Sequence, residues 1–524
     1  MTVGSTKRVA VLGAGASGLS AVAALTAERG FEQIKVFERN ATPGGLWNYT
    51  EYVDMNVALP STDPSVAMQP LVDETSKVKT WAGAAYDNLV RCRLFTIRVG
   101  LVFNCVQITN VPSPIMLFEN PDYDKEFNYF SHRSAIADFL QHYARKFEHL
   151  ISYNSNVLDV RKENGEWIIT YEPGVLGSLP RKEAFDAVVV ATGYFNVPYV
   201  PDVSGLPEYL EKYPGSIIHS KIYRTSEPYE NKTVLVVGNA ASGMDICNQL
   251  VSVTGKKVYK SVRSETIAPG KPNPLIEEVT EIDFFEAEDK TIHLKDGNVL
   301  DDVDVVIYAT GYLRSLPFLS QINEGSHPLI TDGSYVRDLF LHFVYIEDPT
   351  LALLGTPRFV LPFRVSQAQA CYIARVWSGR LKLPPKAIMD SFLRKRYHEV
   401  GDSKAFHDLK YPEDADFCEY ILALCQLIPG HHGLFPRKWT KLERSLRKDI
   451  GNLKVAFAQY LEDTGRHATS REELERGGFL GPLEIDDSEP NFSTFGKVLN
   501  GDQYTEEDIL EATRDMLERV KVKN

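Results

Sequence analysis

The stretch KRVAVLGAGASGLSAVAALTAERGFEQIKVFER, Lys7 to Arg39, constrains the fold more than any other part of the chain. Arg8 to Leu12 is a short apolar run suited to a parallel strand buried on both faces. Gly13, Gly15 and Gly18 follow at GxGxxG spacing, and Ala16 to Glu28 has helix-forming composition. A second strand, Ile34 to Phe37, ends at Glu38, twenty residues after Gly18. Gly13 permits the tight turn, Gly15 lets backbone approach a diphosphate, and Gly18 allows close helix–strand packing. The amides of Ala16 and Ser17 at the helix start, with the positive end of the helix dipole, suit phosphate oxygens. Glu38 is placed to accept hydrogen bonds from a ribose diol. Strand, glycines, helix, strand and acid in register make a far more specific signal than the glycines alone.

The pattern recurs in NKTVLVVGNAASGMDICNQLVSVTGKKVYKSVRSE, Asn231 to Glu265. Thr233 to Val237 is the expected strand, and Gly238 and Gly243 are the outer glycines, with Ala240 in the middle position. Gly238, Ser242 and Gly243 would hold a diphosphate, and the next strand is expected near Lys257 to Tyr259. Arg263 stands twenty residues after Gly243, where the first unit has Glu38, with Lys260 and Ser261 beside it. A carboxylate there suits a ribose hydroxyl, whereas an arginine suits a 2′-phosphate. The first cradle therefore reads as one for FAD or NAD and the second as one for NADPH. The alternative for Lys260 and Arg263 is a solvated basic strand end.

Each unit is followed by the same strand and turn, FDAVVVATGYF (185–195) and VDVVIYATGYL (303–313), with Gly193 and Gly311 allowing close approach of backbone to a ligand or a neighbouring domain. The fold class expected is α/β, two Rossmann-like dinucleotide-binding domains with the NADPH domain inserted in the FAD domain, plus a helical C-terminal extension. The boundaries expected are 1–205 and 326–385 for the two parts of the FAD domain, 206–325 for the NADPH domain and 386–524 for the extension.

Composition narrows the function. Acids outnumber bases 70 to 57, a net charge of −13 that opposes nucleic-acid binding. Six cysteines without a CxxC pair form no disulfide framework and no simple dithiol redox site. No apolar run reaches the length of a membrane span, and Met1 to Arg8 has no leader character. A reduced, cytoplasmic protein is expected, and a homodimer is compatible with it. His431–His432 lies beside Gly433 with no acid at ligand spacing, so no metal is assigned.

Taken with these units, GGLW at Gly44 to Trp47 and YPGSIIHSKIY at Tyr213 to Tyr223 make the chain resemble the flavin-containing monooxygenases, fungal members included. Tyr213, Gly215, His219 and Tyr223 match that family's FxGxxxHxxx(Y/F) signature, with tyrosine replacing phenylalanine at its start. LPFRVSQAQACYIARVWSGRLKLP (361–384) continues the likeness, which covers roughly residues 7 to 385. The resemblance implies FAD and NADPH as cofactors and a flavin hydroperoxide that oxygenates a small amine, thiol or thioether with O2, an activity of the N,N-dimethylaniline monooxygenase kind. It places Gly45, Leu46, Trp47, Thr109, Val157 and Gln369 around FAD, although Gln369 also reads as a surface helix residue. Asn110 would bond to NADP+ or the reacting oxygen. His219 is either a catalyst or a satisfied interdomain histidine. A Baeyer–Villiger oxygenase or an uncoupled NADPH oxidase is the alternative, and Tyr223, where the Baeyer–Villiger enzymes carry tryptophan, disfavours the former.

The family's YxxLxTNxP loop is present in two halves, Tyr86-Asp-Asn-Leu89 and Thr109-Asn110-Val-Pro112, separated by Val90 to Gln107. Removing those 18 residues, 54 nucleotides of coding sequence, gives the uninterrupted YDNLITNVPSPIMLF. Val90-Arg91 can be encoded as GTACGT and Gln107 as CAG, ends that suit a retained short intron of the filamentous-fungal kind. A genuine insertion or an added strand are the other readings. Sequencing the transcript decides between them: the expected cDNA lacks the 54 nucleotides, and a cDNA that contains them removes the intron. The 506-residue product is expected to oxygenate substrate with less peroxide leakage than the 524-residue chain, and equal leakage would contradict this.

Overall fold

The computed structural model describes residues 6–50, 57–72, 75, 79–85, 108–120, 122–175, 177–263, 273–430 and 432–520. The stretch Val90–Gln107, the half-motif Tyr86–Leu89 and His431 lie outside the described residues.

Arg8–Leu12 is an interior strand of a seven-stranded sheet, paired in parallel with Gln33–Phe37 on one side and Ala187–Val190 on the other. Val9, Ala10 and Val11 are fully buried, so the segment is a continuous apolar run without alternation. Ala187–Val190 pairs next with Leu351–Leu353, again in parallel. Between those two strands in sequence lies a second, all-parallel sheet, in the order Ile217–His219, Val305–Tyr308, Val234–Val237, Val258–Ser261, Ile276–Val279. One dinucleotide unit is therefore inserted in the other.

One strand differs from expectation. The strand after the second helix runs Val258–Ser261 rather than ending at Tyr259, because pairing with Ile276–Val279 sets Lys260 opposite Glu278 and Ser261 opposite Val279. Lys260 is thereby buried and its Nζ meets Glu278 Oε1 at 2.7 Å, which removes it from any solvated basic strand end.

The helix Pro362–Trp377 is buried from Phe363 to Trp377. It packs on Ala16–Glu28 and on Glu413–Gln426, so Gln369 is not a surface helix residue. Helices Lys386–Val400, Glu413–Gln426, Lys441–Lys448 and Ile450–Thr464 form the extension and join the core of the first unit through Phe417, Ile421, Leu424 and Phe457. One buried ion pair fixes that docking, Arg364–Glu443 at 3.2 Å, and two more, Arg444–Asp416 and Arg447–Asp414, both at 2.8 Å, tie two helices of the extension to each other. Desolvation offsets most of the attraction in such pairs, so they specify register more than they stabilise. Among the described residues no helix is long and apolar enough to cross a membrane, and no group of potential metal ligands occurs.

Three buried imidazoles make the fold acid-sensitive. Burial pushes His219 and His407 down to about 3 and His342 well below the ordinary range. In the unfolded chain each takes a proton near pH 6.5. Below that pH the unfolded state binds more protons than the folded one, so stability falls as pH falls towards the folded values. Three such groups give a slope of up to about 4 kcal/mol per pH unit. Urea unfolding is expected to require markedly less denaturant at about pH 5 than at about pH 7. An unfolding free energy that is constant across this range would contradict neutral burial of these rings.

Candidate active site

The two cradles are built from one set of backbone contacts. In the first, Gly13 has φ +101°, and a Cβ there would lie 2.7 Å from the Ala191 carbonyl oxygen. A Cβ on Gly18 would lie 1.8 Å from the Gly13 carbonyl oxygen. In the second, Gly238 has φ +126° with the Ala309 oxygen 2.5 Å from its notional Cβ, and Gly243 has the Gly238 oxygen at 2.2 Å. Ala191 and Ala309 begin the two Ala-Thr-Gly-Tyr turns, so these turns are the partners against which the glycine turns close. At Gly193 and Gly311 nothing lies within 4 Å of a notional Cβ, so crowding is at the alanine carbonyls and not at these glycines.

The middle positions tolerate a side chain. Gly15 and Ala240 are the N-caps of Ala16–Glu28 and Ala241–Val251, with extended backbone at φ −77° and −94°. Neither helix start has a side-chain cap, and the uncapped amides of the first turn suit an anion. Gly44 donates to the Ala14 carbonyl at 3.0 Å, which brings Gly45, Leu46 and Trp47 back over the Gly15 turn. The Trp47 carbonyl is held by Arg133 Nη1 at 2.7 Å. Ser17 Oγ lies 2.8 Å from Ser366 Oγ, which ties the first turn of the helix to Pro362–Trp377.

Glu38 is 3% exposed. Its Oε2 accepts from the Ala14 amide at 2.7 Å and its Oε1 from the Asn40 amide at 2.9 Å, and burial raises its pKa. Each oxygen keeps a second lone pair for a diol. Val157 packs against the apolar cluster that contains Phe37, the last residue of the strand before Glu38. Gln369 is fully buried, its Oε1 accepts from Gly355 N at 2.9 Å, and its Nε2 has no partner. Gly355 in turn abuts Ser17. An unmatched buried donor beside an uncapped helix start fits a ligand with acceptor atoms, because leaving such a donor unpaired costs about 1–3 kcal/mol.

The second cradle ends differently. Ser261 is buried with its Oγ on the Thr280 carbonyl at 3.0 Å, whereas Arg263 and Ser242 are exposed. Burial, with the charges of Arg358 and Arg263, lowers the pKa of Lys404, so basic groups from both units converge here.

His219 is fully buried. Its Nδ1 accepts from the Lys221 amide and its Nε2 is 3.0 Å from the Gly311 carbonyl, which assigns the proton to Nε2. Lys221 Nζ donates to the Asn196 carbonyl at 2.6 Å, joining the signature to the first Ala-Thr-Gly-Tyr segment. The signature's other members are placed by packing: Tyr213 Oη donates to the Ala287 carbonyl at 3.1 Å, Gly215 has φ +80°, and Tyr223 Oη donates to Gln249 Oε1 at 2.8 Å. Thr109 is buried, with its amide on the Ser131 carbonyl at 2.9 Å. Asn110 is exposed, and its Oδ1 accepts from Lys454 Nζ.

Three contributors were not singled out in the sequence. Arg224 joins the signature to the loops before it, through Thr50 O at 3.1 Å and Gly83 O at 3.2 Å. Arg314 stacks on Tyr194 at 3.2 Å from the ring centroid, bridging the two Ala-Thr-Gly-Tyr turns. Lys454 comes from the extension. Only Arg314 carried a signal, its place directly after ATGYL. A cavity of about 750 Å³ lined by Asp449, Gln459, Arg471 and Phe479 contains no residue of either cradle.

Comparison with known proteins shows the family and the fold. The profile of a family described as "Flavin-binding monooxygenase-like" matches residues 100–269 and 275–436, and that of a "NAD(P)-binding Rossmann-like domain" matches 11–61. The chain is 29% identical over 452 residues to flavin-containing monooxygenase iboF of Amanita muscaria, covering 75% of this chain and 83% of that one. It is 28% identical over 452 residues to the thiol-specific monooxygenase of Saccharomyces cerevisiae, covering 84% and 90%. Its fold superposes on the S-allyl-L-cysteine S-oxygenase of Allium sativum with a TM-score of 0.67, at 22% identity and covering 90% of this chain and 98% of that one. The chain belongs to the flavin-binding monooxygenase-like family, with FAD and NADPH as its cofactors.

Proposed function

We propose that the chain is an NADPH- and O2-dependent monooxygenase that transfers one oxygen atom to a soft nucleophile, an amine nitrogen or a thiol or thioether sulfur, of a small molecule. In balance, NADPH, a proton, O2 and substrate give NADP+, water and the oxygenated substrate. The observation that carries the reading is the pairing of two like-built cradles with opposite charge at their far ends, buried Glu38 in one and exposed Arg263 in the other.

Gly13, Gly15, Ala16, Ser17 and Gly18 would hold the FAD diphosphate and Glu38 its ribose, with Gly45, Leu46, Trp47, Thr109, Val157 and Gln369 around the remainder. Gly238, Ala240, Ser242 and Gly243 would hold the NADPH diphosphate, and Ser261 and Arg263 its 2′-phosphate. FAD, once bound and reduced, would supply the activation of O2, from which the transferred oxygen atom comes. The chain's own part is to bind, orient and exclude water. His219, neutral over the working pH range, acts by holding the Gly311 turn and the backbone at Lys221, and Asn110 presents its amide to the reacting oxygen. The domain limits at residues 205, 325 and 385 belong to this reading. So does a cytoplasmic location, supported by the free thiols of the buried Cys247, Cys371, Cys418 and Cys425.

Sulfur is favoured over nitrogen, because the yeast relative is named for thiols and the Allium structure for a thioether. With FAD and NADPH present, a small thioether is expected to yield its sulfoxide, one per NADPH consumed. An ester formed from a ketone would instead indicate Baeyer–Villiger chemistry, and peroxide as the sole product an uncoupled oxidase. Arg263→Ala is expected to raise the KM for NADPH roughly tenfold or more, the scale of a lost charge-assisted hydrogen bond, and to leave the KM for NADH unchanged. Equal shifts for both coenzymes would remove Arg263 from the 2′-phosphate.

A further inference from the structure

The C-terminal extension reaches the segment that carries Asn110 at several points. Lys454, on helix Ile450–Thr464, donates from Nζ to Asn110 Oδ1. Tyr129 N donates to the Ala468 carbonyl at 2.9 Å, and the rings of Phe130 and Phe457 lie 5.2 Å apart. Arg437 reaches the Pro114 carbonyl at 3.4 Å and the Glu119 carboxylate at 3.5 Å. Backbone contacts hold the same segment from inside, with Thr109 on Ser131 and Ile108 bridged to His132. The backbone at residue 109 is thus fixed by the flavin-side unit, while the Asn110 side chain is fixed by the extension.

The charge environment of Lys454 is unusual for a chain with 70 acids. Its neighbours at helical spacing, Ile450, Gly451, Phe457 and Ala458, carry no charge. Among the described residues no carboxylate pairs with it, and the contact to Asn110 is its hydrogen bond. An ammonium has three donors and no acceptor, and a carboxamide accepts through oxygen and donates through nitrogen. The contact therefore selects one of the two amide orientations, with Oδ1 against Lys454 and the Nδ2 hydrogens on the other branch. A charged donor on the oxygen also polarises the amide and makes those hydrogens better donors.

We propose that Lys454 is a positioning residue for the oxygen-transfer step: it locks the Asn110 amide so that Nδ2 donates to the reacting oxygen, and through it the extension completes the active site. This rests on the role given to Asn110 above. In that arrangement a lost Lys454 leaves cofactor binding intact and lets the unoriented amide release activated oxygen as hydrogen peroxide.

The test compares Lys454→Met, Lys454→Arg, Asn110→Ala and the double variant Lys454→Met/Asn110→Ala in the full chain. Lys454→Met is expected to lower product formed per NADPH by roughly tenfold, with peroxide making up the difference. FAD content and the KM for NADPH should stay unchanged. Lys454→Arg, which keeps the charged donor, should recover most of the coupling. The double variant should be no worse than Asn110→Ala alone, because the two side chains act as one unit. In the flavin-free protein, amide hydrogen exchange over residues 109–116 should be faster in Lys454→Met and near normal in Lys454→Arg. Normal coupling in Lys454→Met, or additive losses in the double variant, would overturn the inference while leaving the function of Asn110 standing. Normal coupling in Asn110→Ala would overturn the role of Asn110 and the inference with it.

Discussion

Each cradle depends on helix backbone resting directly on turn backbone. The start of Ala16–Glu28 lies on the Gly13 carbonyl, and Gly13 lies on the Ala191 carbonyl. The same contacts link Gly243 to Gly238 and Gly238 to Ala309. No side chain can be interposed at these points, so each helix is held with its uncapped amides at the carboxyl end of the central strands, the position where open α/β sheets bind ligands. Two such sites on one chain, one inserted in the other, leave their far ends as the main point of difference.

That difference is electrostatic. Glu38 is shielded from water and takes two backbone donors, which suits the neutral hydroxyls of a ribose. Arg263 stands in solvent with Lys404 close enough to feel its charge, which suits a phosphate dianion. The units are joined by hydrogen bonds to backbone, from Lys221 Nζ to the Asn196 carbonyl and from Arg224 to the Thr50 and Gly83 carbonyls. The relative placement of the cradles thus draws on charged donors held by backbone carbonyls of the other unit.

Local rules made the nucleotide units legible, since a positive φ at Gly13 and the closeness of Gly18 to a carbonyl are written into adjacent residues. The family signature at Tyr213–Tyr223 was legible for the same reason. Lys260 was misplaced because its burial depends on Glu278, brought beside it only by strand pairing. Gln369 could be taken for a surface residue because the extension that covers its helix lies further along the chain, and helical periodicity cannot report what packs against the second face. Lys454 was invisible because its partner, Asn110, is separated from it by most of the fold.

Oxygenation by this chain requires that the two cradles bring flavin and nicotinamide together. Anaerobic mixing of the FAD-loaded protein with NADPH measures this directly through the yellow flavin absorbance. Rapid bleaching with NADPH, and much slower bleaching with NADH at the same concentration, is the predicted result. Flavin that stays yellow while NADPH binding is demonstrable by calorimetry would contradict it.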